Sequence, residues 1–396
     1  MRDAVRRGRL ARPGILSGRS RRSRDPLLSV VVPAYDVERY LPACLASIQA
    51  QPLYQADLVD VLIVDDGSPD RSGELAEEFA ASEPSGRVRV IHQVNAGLGA
   101  ARNAALPHVS TPYLTFLDSD DTLPEDAWTR MLDTIRETGS DMVIGKLVRV
   151  AGQQHTVGRW MEVNHRRMRL RTTVERTPEI LADVFAVNKI FRRDFWDASM
   201  LTFGEDVRYE DQPTLTGAML LAKSIDVLPY TVYHWRTRVD GTSITQCRRD
   251  MKDITDRVAT KLDSLAMVRD YAAVRDHHHV TRVFLTKVLP VDMWEYFRGS
   301  VGNSDAYWQT LRQGMHAIWD EVPFHASIVP VQQRLMGWLV THDRQADLKR
   351  FLDWLECTPP RERVREGLLL HPFRNEPGLP AEVTRVRHAQ PQLLAV

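Results

Sequence analysis

The sequence predicts an α/β fold: a mostly parallel sheet flanked by helices, followed by a mainly helical C-terminal region. Three observations lead there. From Leu27 to Val150, apolar β-branched runs alternate with stretches of helical spacing. The polar clusters sit at the carboxyl ends of those runs, where open α/β sheets bind ligands. From about Arg248 to about Glu356 the spacing is helical, with many aromatics and no comparable cluster.

Leu27–Val32 is a nearly continuous apolar run, which suits a parallel strand buried on both faces, and Pro33 is expected to end it. Tyr40, Leu41, Leu45 and Ile48 then recur at helical spacing, which predicts a helix over about Glu38–Gln51. Val59–Val64 is the second strand and ends in Asp65-Asp66-Gly67-Ser68. A helix over Ser72–Ala81 carries Leu75 and Phe79 at i, i+4. Val88–His92 is the third strand, followed by the glycine turn Asn95–Gly99 and a short helix over Ala100–Leu106. Tyr113–Leu117 is the fourth, and Pro124 is placed to open the next helix. Met142–Val150 is a further strand. Residues 151–187 are irregular and polar, with a basic stretch from His165 to Arg169 that suits a solvated strand or a lid. Consecutive histidines at 277–279 do not share a helix face and read as surface or partly buried helix residues.

The boundaries expected are a disordered Arg-rich tail over 1–25, an α/β domain over 26–246, a helical region over 247–357, and a linker with a small appendage over 358–396. Lys+Arg and Asp+Glu balance at 52 each, which speaks against a nucleic-acid partner. The balance hides an asymmetry, since residues 1–25 hold nine arginines and two acids, a segment that either touches anionic lipid or is a solvated leader. No apolar signal follows them, and no window reaches the ~18 apolar residues of a membrane span. Cys44, Cys247 and Cys357 are too scattered for a disulfide framework or a zinc site, so the expected setting is the reducing cytoplasm, with room for contact at the inner membrane face.

The chemistry concentrates at Tyr113–Asp121, where an apolar strand runs into Asp118, Asp120 and Asp121. A lone D-x-D reads equally as a solvated acidic turn. Carboxylates on a rigid strand end also suit Mg²⁺ or Mn²⁺, which bind through one or two carboxylates plus substrate phosphates. Asp118 and Asp120 are the candidate metal ligands, and Asp121 either ligates or caps the following segment.

In order, V-V-V-P-A-Y-D (30–36), V-D-D-G-S-P-D (64–70), H-Q-V-N-A-G-L-G-A-A-R-N (92–103) and F-L-D-S-D-D (116–121) resemble the family 2 inverting glycosyltransferases of GT-A fold. The resemblance continues through N-K-I-F-R-R-D-F-W (188–196), R-Y-E-D-Q-P (208–213) and Y-H-W-R-T-R…G-T-S-I-T (233–245). These later motifs resemble the bacterial polymer-assembly members, some fused to a teichoic-acid-type glycerophosphotransferase, for which this chain is too short. The resemblance implies a nucleoside-diphosphate sugar donor, a glycan or lipid-linked hydroxyl acceptor, and a role in cell-envelope or exopolysaccharide assembly. It implies that Pro33, Tyr35, Asp36 and Asp66 hold the nucleotide, with Asn95 and Arg102 around the next loop and Asp118 on the diphosphate. Asp36 stands where relatives commonly have Asn, which leaves an acceptor oxygen in place.

Glu210-Asp211 is implied to supply the general base, with Asp211 the expected member, because adjacent residues on an element cannot both face one hydroxyl. The bland alternative is a carboxylate pair at a helix N-terminus. Arg236 has the donor fork to clamp a diphosphate, Ser243 and Thr245 are donors on a closing loop, and Lys189 is placed near the sugar or diphosphate. His234 is a further metal-ligand candidate, though a lone histidine is more often structural. A nucleotidyltransferase would need a basic glycine-rich loop at the first strand, and none is present. The alternative from another class is a non-catalytic nucleotide-sugar-binding or scaffolding module; retention of both carboxylate sets argues against it.

Overall fold

The computed structural model describes residues 25–83, 85–238, 250–374 and 379–387. Ser243, Thr245, Cys247 and nearly all of the Arg-rich segment lie outside these residues.

Nine strands form one sheet: β1 (Leu28–Ala34), β2 (Val59–Asp65), β3 (Val88–His92), β4 (Tyr113–Phe116), β5 (Met142–Ala151), β6 (Gln154–Thr156), β7 (Arg169–Thr172), β8 (Lys189–Arg192) and β9 (Ile225–Arg236). The order is β3-β2-β1-β4-β8-β5-β9-β7, with β6 on β5. The first four strands are parallel, with Val30 opposite both Val61 and Thr115. All seven residues of β1 and of β2 are buried, the signature of strands covered on both faces. Antiparallel β8 then sits between β4 and β5, with Ile190 opposite Thr115 and Val143. β9 runs parallel to β5, and their register shifts around Gly145, where an added Cβ would lie 2.4 Å from the Val232 methyls. Beneath the β4 end, Phe116, Phe191, Trp196 and Phe203 pack as an aromatic cluster, with Phe116 and Phe203 edge to face at 5.1 Å.

Three expectations need correction. Pro33 does not end β1, which continues to Ala34. β4 pairs only as far as Val31, so one flank of β1 is already free at Pro33 and its missing N–H breaks no ladder. The first helix is Leu41–Gln49 and begins later than Glu38. The amides of Val37 and Glu38 are taken by Ser72 Oγ and Asp70 Oδ2, which hold this stretch as a loop. Pro124 does not open the following helix, which spans Ala127–Thr138. Asp126 precedes that helix in the left-handed region (φ 58), and the Pro124 carbonyl accepts from Gln51 Nε2.

The C-terminal region is helical. Its longest helix, Met251–Arg275, is capped by Asp250, which accepts from the Asp253 amide. The helices Met293–Gly299, Asp305–Ile318, Val331–Thr341 and Gln345–Cys357 follow. The described part of 358–396 packs against Val331–Thr341, where buried Arg334 donates to the carbonyls of Glu382 and Arg385. His165, which opens the basic stretch read as a solvated strand or a lid, is buried against Asp183 and the Leu228 carbonyl, while Arg166, Arg167 and Met168 are exposed. At 277–279, Asp276 (φ 56) ends one helix and His278 starts the next. No helix among the described residues is long and apolar enough to cross a membrane.

Candidate active site

The loops after β1, β2, β3 and β4 meet at one edge of the sheet. Asp66, buried at the end of β2, accepts from Gln93 Nε2 (2.7 Å) and from the amides of Ala96 (2.8 Å) and Gly97 (2.9 Å). Its carboxylate ties the second loop to the third. Gly67 (φ +68) lets the two loops close, because a Cβ there would lie 2.9 Å from the Asn95 amide. Asn95 is exposed above this contact. Tyr35 is 45% exposed and Asp36 (φ 52) is exposed as well, so the first loop offers both side chains outward from Pro33.

Arg102, on the helix Leu98–Ala105, is the centre of the site. It is 2% exposed, donates through Nη2 to Asp118 Oδ1 (2.8 Å) and through Nη1 to Glu210 Oε1 (2.6 Å), and stacks on Phe203. One guanidinium thereby joins the aspartate turn to the Glu210-Asp211 pair. The three aspartates have separate fates. Asp121 is buried and accepts from Tyr233 Oη (2.6 Å) and the Arg236 amide (2.6 Å), so it holds β9 to the turn. Burial and the neighbouring Asp120 and Asp118 push its carboxyl well up. Asp120 accepts from Arg238 Nε (2.7 Å), and burial keeps its carboxyl above the usual range. Asp118 keeps 30% of its side chain exposed.

Glu210 precedes the helix Asp211–Leu221, and Asp211 is its first residue. Burial raises both carboxyls above the usual range, although Arg102 pulls both down. Their partners differ. Glu210 is committed to Arg102, whereas no group among the described residues donates to the Asp211 carboxylate. Arg236 donates to the carbonyls of Asp120 and Tyr40, so its guanidinium props the aspartate turn. Lys189 is fully buried on Asp183 Oδ1 (2.7 Å), Asn188 Oδ1 and the Phe185 carbonyl, and reaches Asp211 only through its field. His234 faces His155 rather than the aspartates, and burial lowers its pKa.

Residues 29–198 match the family described as Glycosyl transferase family 2. Over those residues the chain matches a family 2 glycosyltransferase domain. It is 31% identical over 219 residues to the uncharacterized glycosyltransferase EpsJ of Bacillus subtilis, covering 53% of this chain and 61% of EpsJ. It is 27% identical over 217 residues to the poly(ribitol-phosphate) beta-glucosyltransferase of Bacillus spizizenii, covering 54% of this chain and 33% of that protein. The chain therefore spans less than two thirds of these relatives. The fold is that of S. aureus TarS residues 1–349, with TM-score 0.65 and 19% identity, covering 88% of this chain and 97% of TarS 1–349. The same TarS fragment has been solved with UDP-GlcNAc, at TM-score 0.60.

In this family 2 domain, the metal question turns on charge and free oxygens. Among the described residues no three His, Cys, Asp or Glu side chains form a metal cage by themselves. A cation shared with substrate phosphates needs only one or two carboxylates. Asp118 and Asp120 each commit one oxygen to an arginine, and no second side chain among the described residues donates to either carboxylate. Asp118, Asp120, Asp121, Glu210 and Asp211 outnumber Arg102, Arg236 and Arg238 here, which is why burial and mutual repulsion raise so many of these carboxyls. The donor set fits a hard divalent cation.

Sequence reasoning missed the support of the Glu210-Asp211 pair, which comes from the helical region. Tyr209 (φ 64) donates to Asp253 Oδ1 (2.6 Å), accepts from Tyr296 Oη (2.9 Å) and lies under Arg257 at 4.1 Å. The Arg208 amide donates to Asp256 Oδ2, and Arg257 donates to Gln212 Oε1 (2.8 Å). These partners lie dozens of residues away, and no local pattern announces them. Arg238 was legible only as part of the run 233–238, beside the more prominent Arg236.

Proposed function

We propose that this chain is a metal-dependent inverting glycosyltransferase that moves a sugar from a nucleoside-diphosphate donor to a hydroxyl on a glycan or lipid-linked acceptor. The observation that carries the reading is the Arg102 bridge, which sets the donor-free Asp211 carboxylate beside Asp118. Tyr35, Asp36 and Asn95 surround the nucleotide, while Asp66 braces the loops that present them. Asp118 and Asp120 hold Mg²⁺ or Mn²⁺, which when bound supplies Lewis-acid stabilisation of the departing diphosphate. Asp211 takes the proton from the acceptor hydroxyl as its oxygen attacks the anomeric carbon opposite the diphosphate, which inverts that carbon. Arg102 holds Glu210 in place, so that Asp211 is the member of the pair left to act. The UDP-GlcNAc complex of TarS supports a UDP-linked donor, and the beta-glucosyltransferase relative supports a cell-envelope polymer as the product.

Calorimetry with UDP-GlcNAc and other UDP-, GDP-, dTDP- and CDP-sugars, in Mn²⁺ and in EDTA, tests this reading. Metal-dependent binding of one nucleotide class is expected. A folded chain that binds no donor with metal present would overturn it.

A further inference from the structure

Between the helix Arg159–Asn164 and the C-terminal helices lies a cavity of about 890 Å³. None of Asp118, Asp120, Glu210 or Asp211 lines it. Its wall is mainly apolar, with Trp160, Trp294, Met336 and Leu355 among its residues, and Val163 and Ile328 stay 50% and 46% exposed there. A volume in the ~300–1,000 Å³ range with a mainly apolar wall is the usual form of a small-molecule site.

The charged groups at this cavity are mostly cationic. Arg159, Lys287, Arg298, Arg363 and Arg387 line it, against Glu179 and Glu356. Glu179 is neutralised by Lys287 at 2.7 Å. Arg363 donates to the carbonyls of Thr358 and Leu355, and Arg387 to those of His325, Ala326 and Ser327. Carbonyls accept these protons without cancelling the charge. Arg298 lies over the Trp294 ring, and among the described residues no carboxylate pairs with Arg298 or Arg159. Four guanidinium charges therefore remain against the one carboxylate of Glu356. An apolar chamber with a net positive lining is complementary to an anionic amphiphile: a neutral chain leaves the arginines unmatched, and a small anion leaves the apolar wall wet.

We propose that this cavity binds one anionic lipid of a bilayer surface, with its chain against Trp160, Trp294 and Ile328 and its phosphate among the arginines. The cavity is joined to the sheet by an aromatic path. Trp160 stacks on Phe185 at 6.0 Å, and Phe185 packs at 5.7 Å on Trp235, the neighbour of Arg236. Lipid bound here holds the transferase domain at the membrane through a site distinct from its chemistry.

The test is co-sedimentation of the full chain with vesicles of phosphatidylglycerol or phosphatidylcholine. The double variants Val163→Asp/Ile328→Asp and Arg159→Glu/Arg298→Glu change exposed side chains, and thermal melts confirm that they fold. Binding to phosphatidylglycerol but not phosphatidylcholine is expected, with each double variant weakening it by ~10-fold or more, in line with the per-charge attraction of anionic surfaces. Soluble dodecyl phosphate is expected to compete, and inorganic phosphate at the same concentration is not. Undiminished binding by both variants would overturn the proposal and assign membrane contact to the Arg-rich segment 1–25. No binding to phosphatidylglycerol, or equal displacement by inorganic phosphate, would also overturn it.

Discussion

Asp211 and Glu210 are neighbours in sequence with opposite surroundings, and their substitutions should separate. Asp211→Asn keeps the shape and removes the base, so turnover should fall by about 10²–10⁴-fold while donor affinity, read by calorimetry, stays within a factor of two or so. Near-normal turnover would refute the assignment. The same variant should not lower Tm. The folded-state pKa of Asp211 is raised, so the folded chain holds the proton more tightly than the unfolded chain, and ionisation costs stability as pH rises through the raised value. Asparagine has no such cost. The raised pKa also sets the sign of the pH profile. The base acts ionised, so kcat/KM should fall as pH drops through a value above the ~3.9 of an ordinary aspartate. Asp120→Ala removes one carboxylate of the proposed cation pair, and the difference in donor affinity between Mn²⁺ and EDTA should vanish. The carboxylates themselves were legible, Asp118 and Asp120 at a strand end and Glu210-Asp211 within the motif 208–213. Their division was not, because Arg102 reaches Glu210 across 108 residues and local pattern carries no record of that contact.

At the scale of elements, two contacts place the Asp211–Leu221 helix. Gly99 lies against the loop that leads into it, and a Cβ there would fall 2.0 Å from the Gly204 carbonyl oxygen. Gly99→Ala should therefore push residues 204–210 away, costing about 1–3 kcal/mol of stability and lowering kcat more than donor affinity. From the other side, Tyr209 hangs the pair on the Met251–Arg275 helix. Tyr209→Phe retains the ring under Arg257 and removes the bond to Asp253. It should cost about 1 kcal/mol in denaturant unfolding, lower kcat without weakening donor binding, and shift the acid limb of the pH profile, a change a purely structural residue would not produce. The strands β1 to β4 were readable as elements because apolar residues dominate each and a turn or helix signal follows each. β7 (Arg-Leu-Arg-Thr) and β8 (Lys-Ile-Phe-Arg) were not, since half of each is charged, and their place is set by pairing with distant strands.

At the scale of the molecule, buried residues from Leu28 to Val383 form one hydrophobic core that crosses from the sheet into the C-terminal helices. The helical region thus does more than complete a small core of its own, because its first helix carries the partners of Tyr209 and Arg208. A continuous core implies that unfolding monitored by near-UV and far-UV circular dichroism should coincide in a single transition. Phe351, fully buried in the helical region, makes this testable. Phe351→Ala should cost about 3–5 kcal/mol and shift both signals together.

By itself the sequence determined the parallel half of the sheet and the gathering of polar loops at one edge. Buried strands must be apolar along their length, and ligand groups must then wait at their ends. It also determined which carboxylates are present there. Only the tertiary structure decided how those carboxylates divide their work: Asp121 to β9, Asp118 and Glu210 to Arg102, Asp120 to Arg238, and Asp211 to none of the described residues. Lys189, placed by sequence near the substrate, was taken instead by Asp183 beneath the site. Each of these outcomes is a choice of partner in a dry interior, and partners there are set by the path of the whole chain.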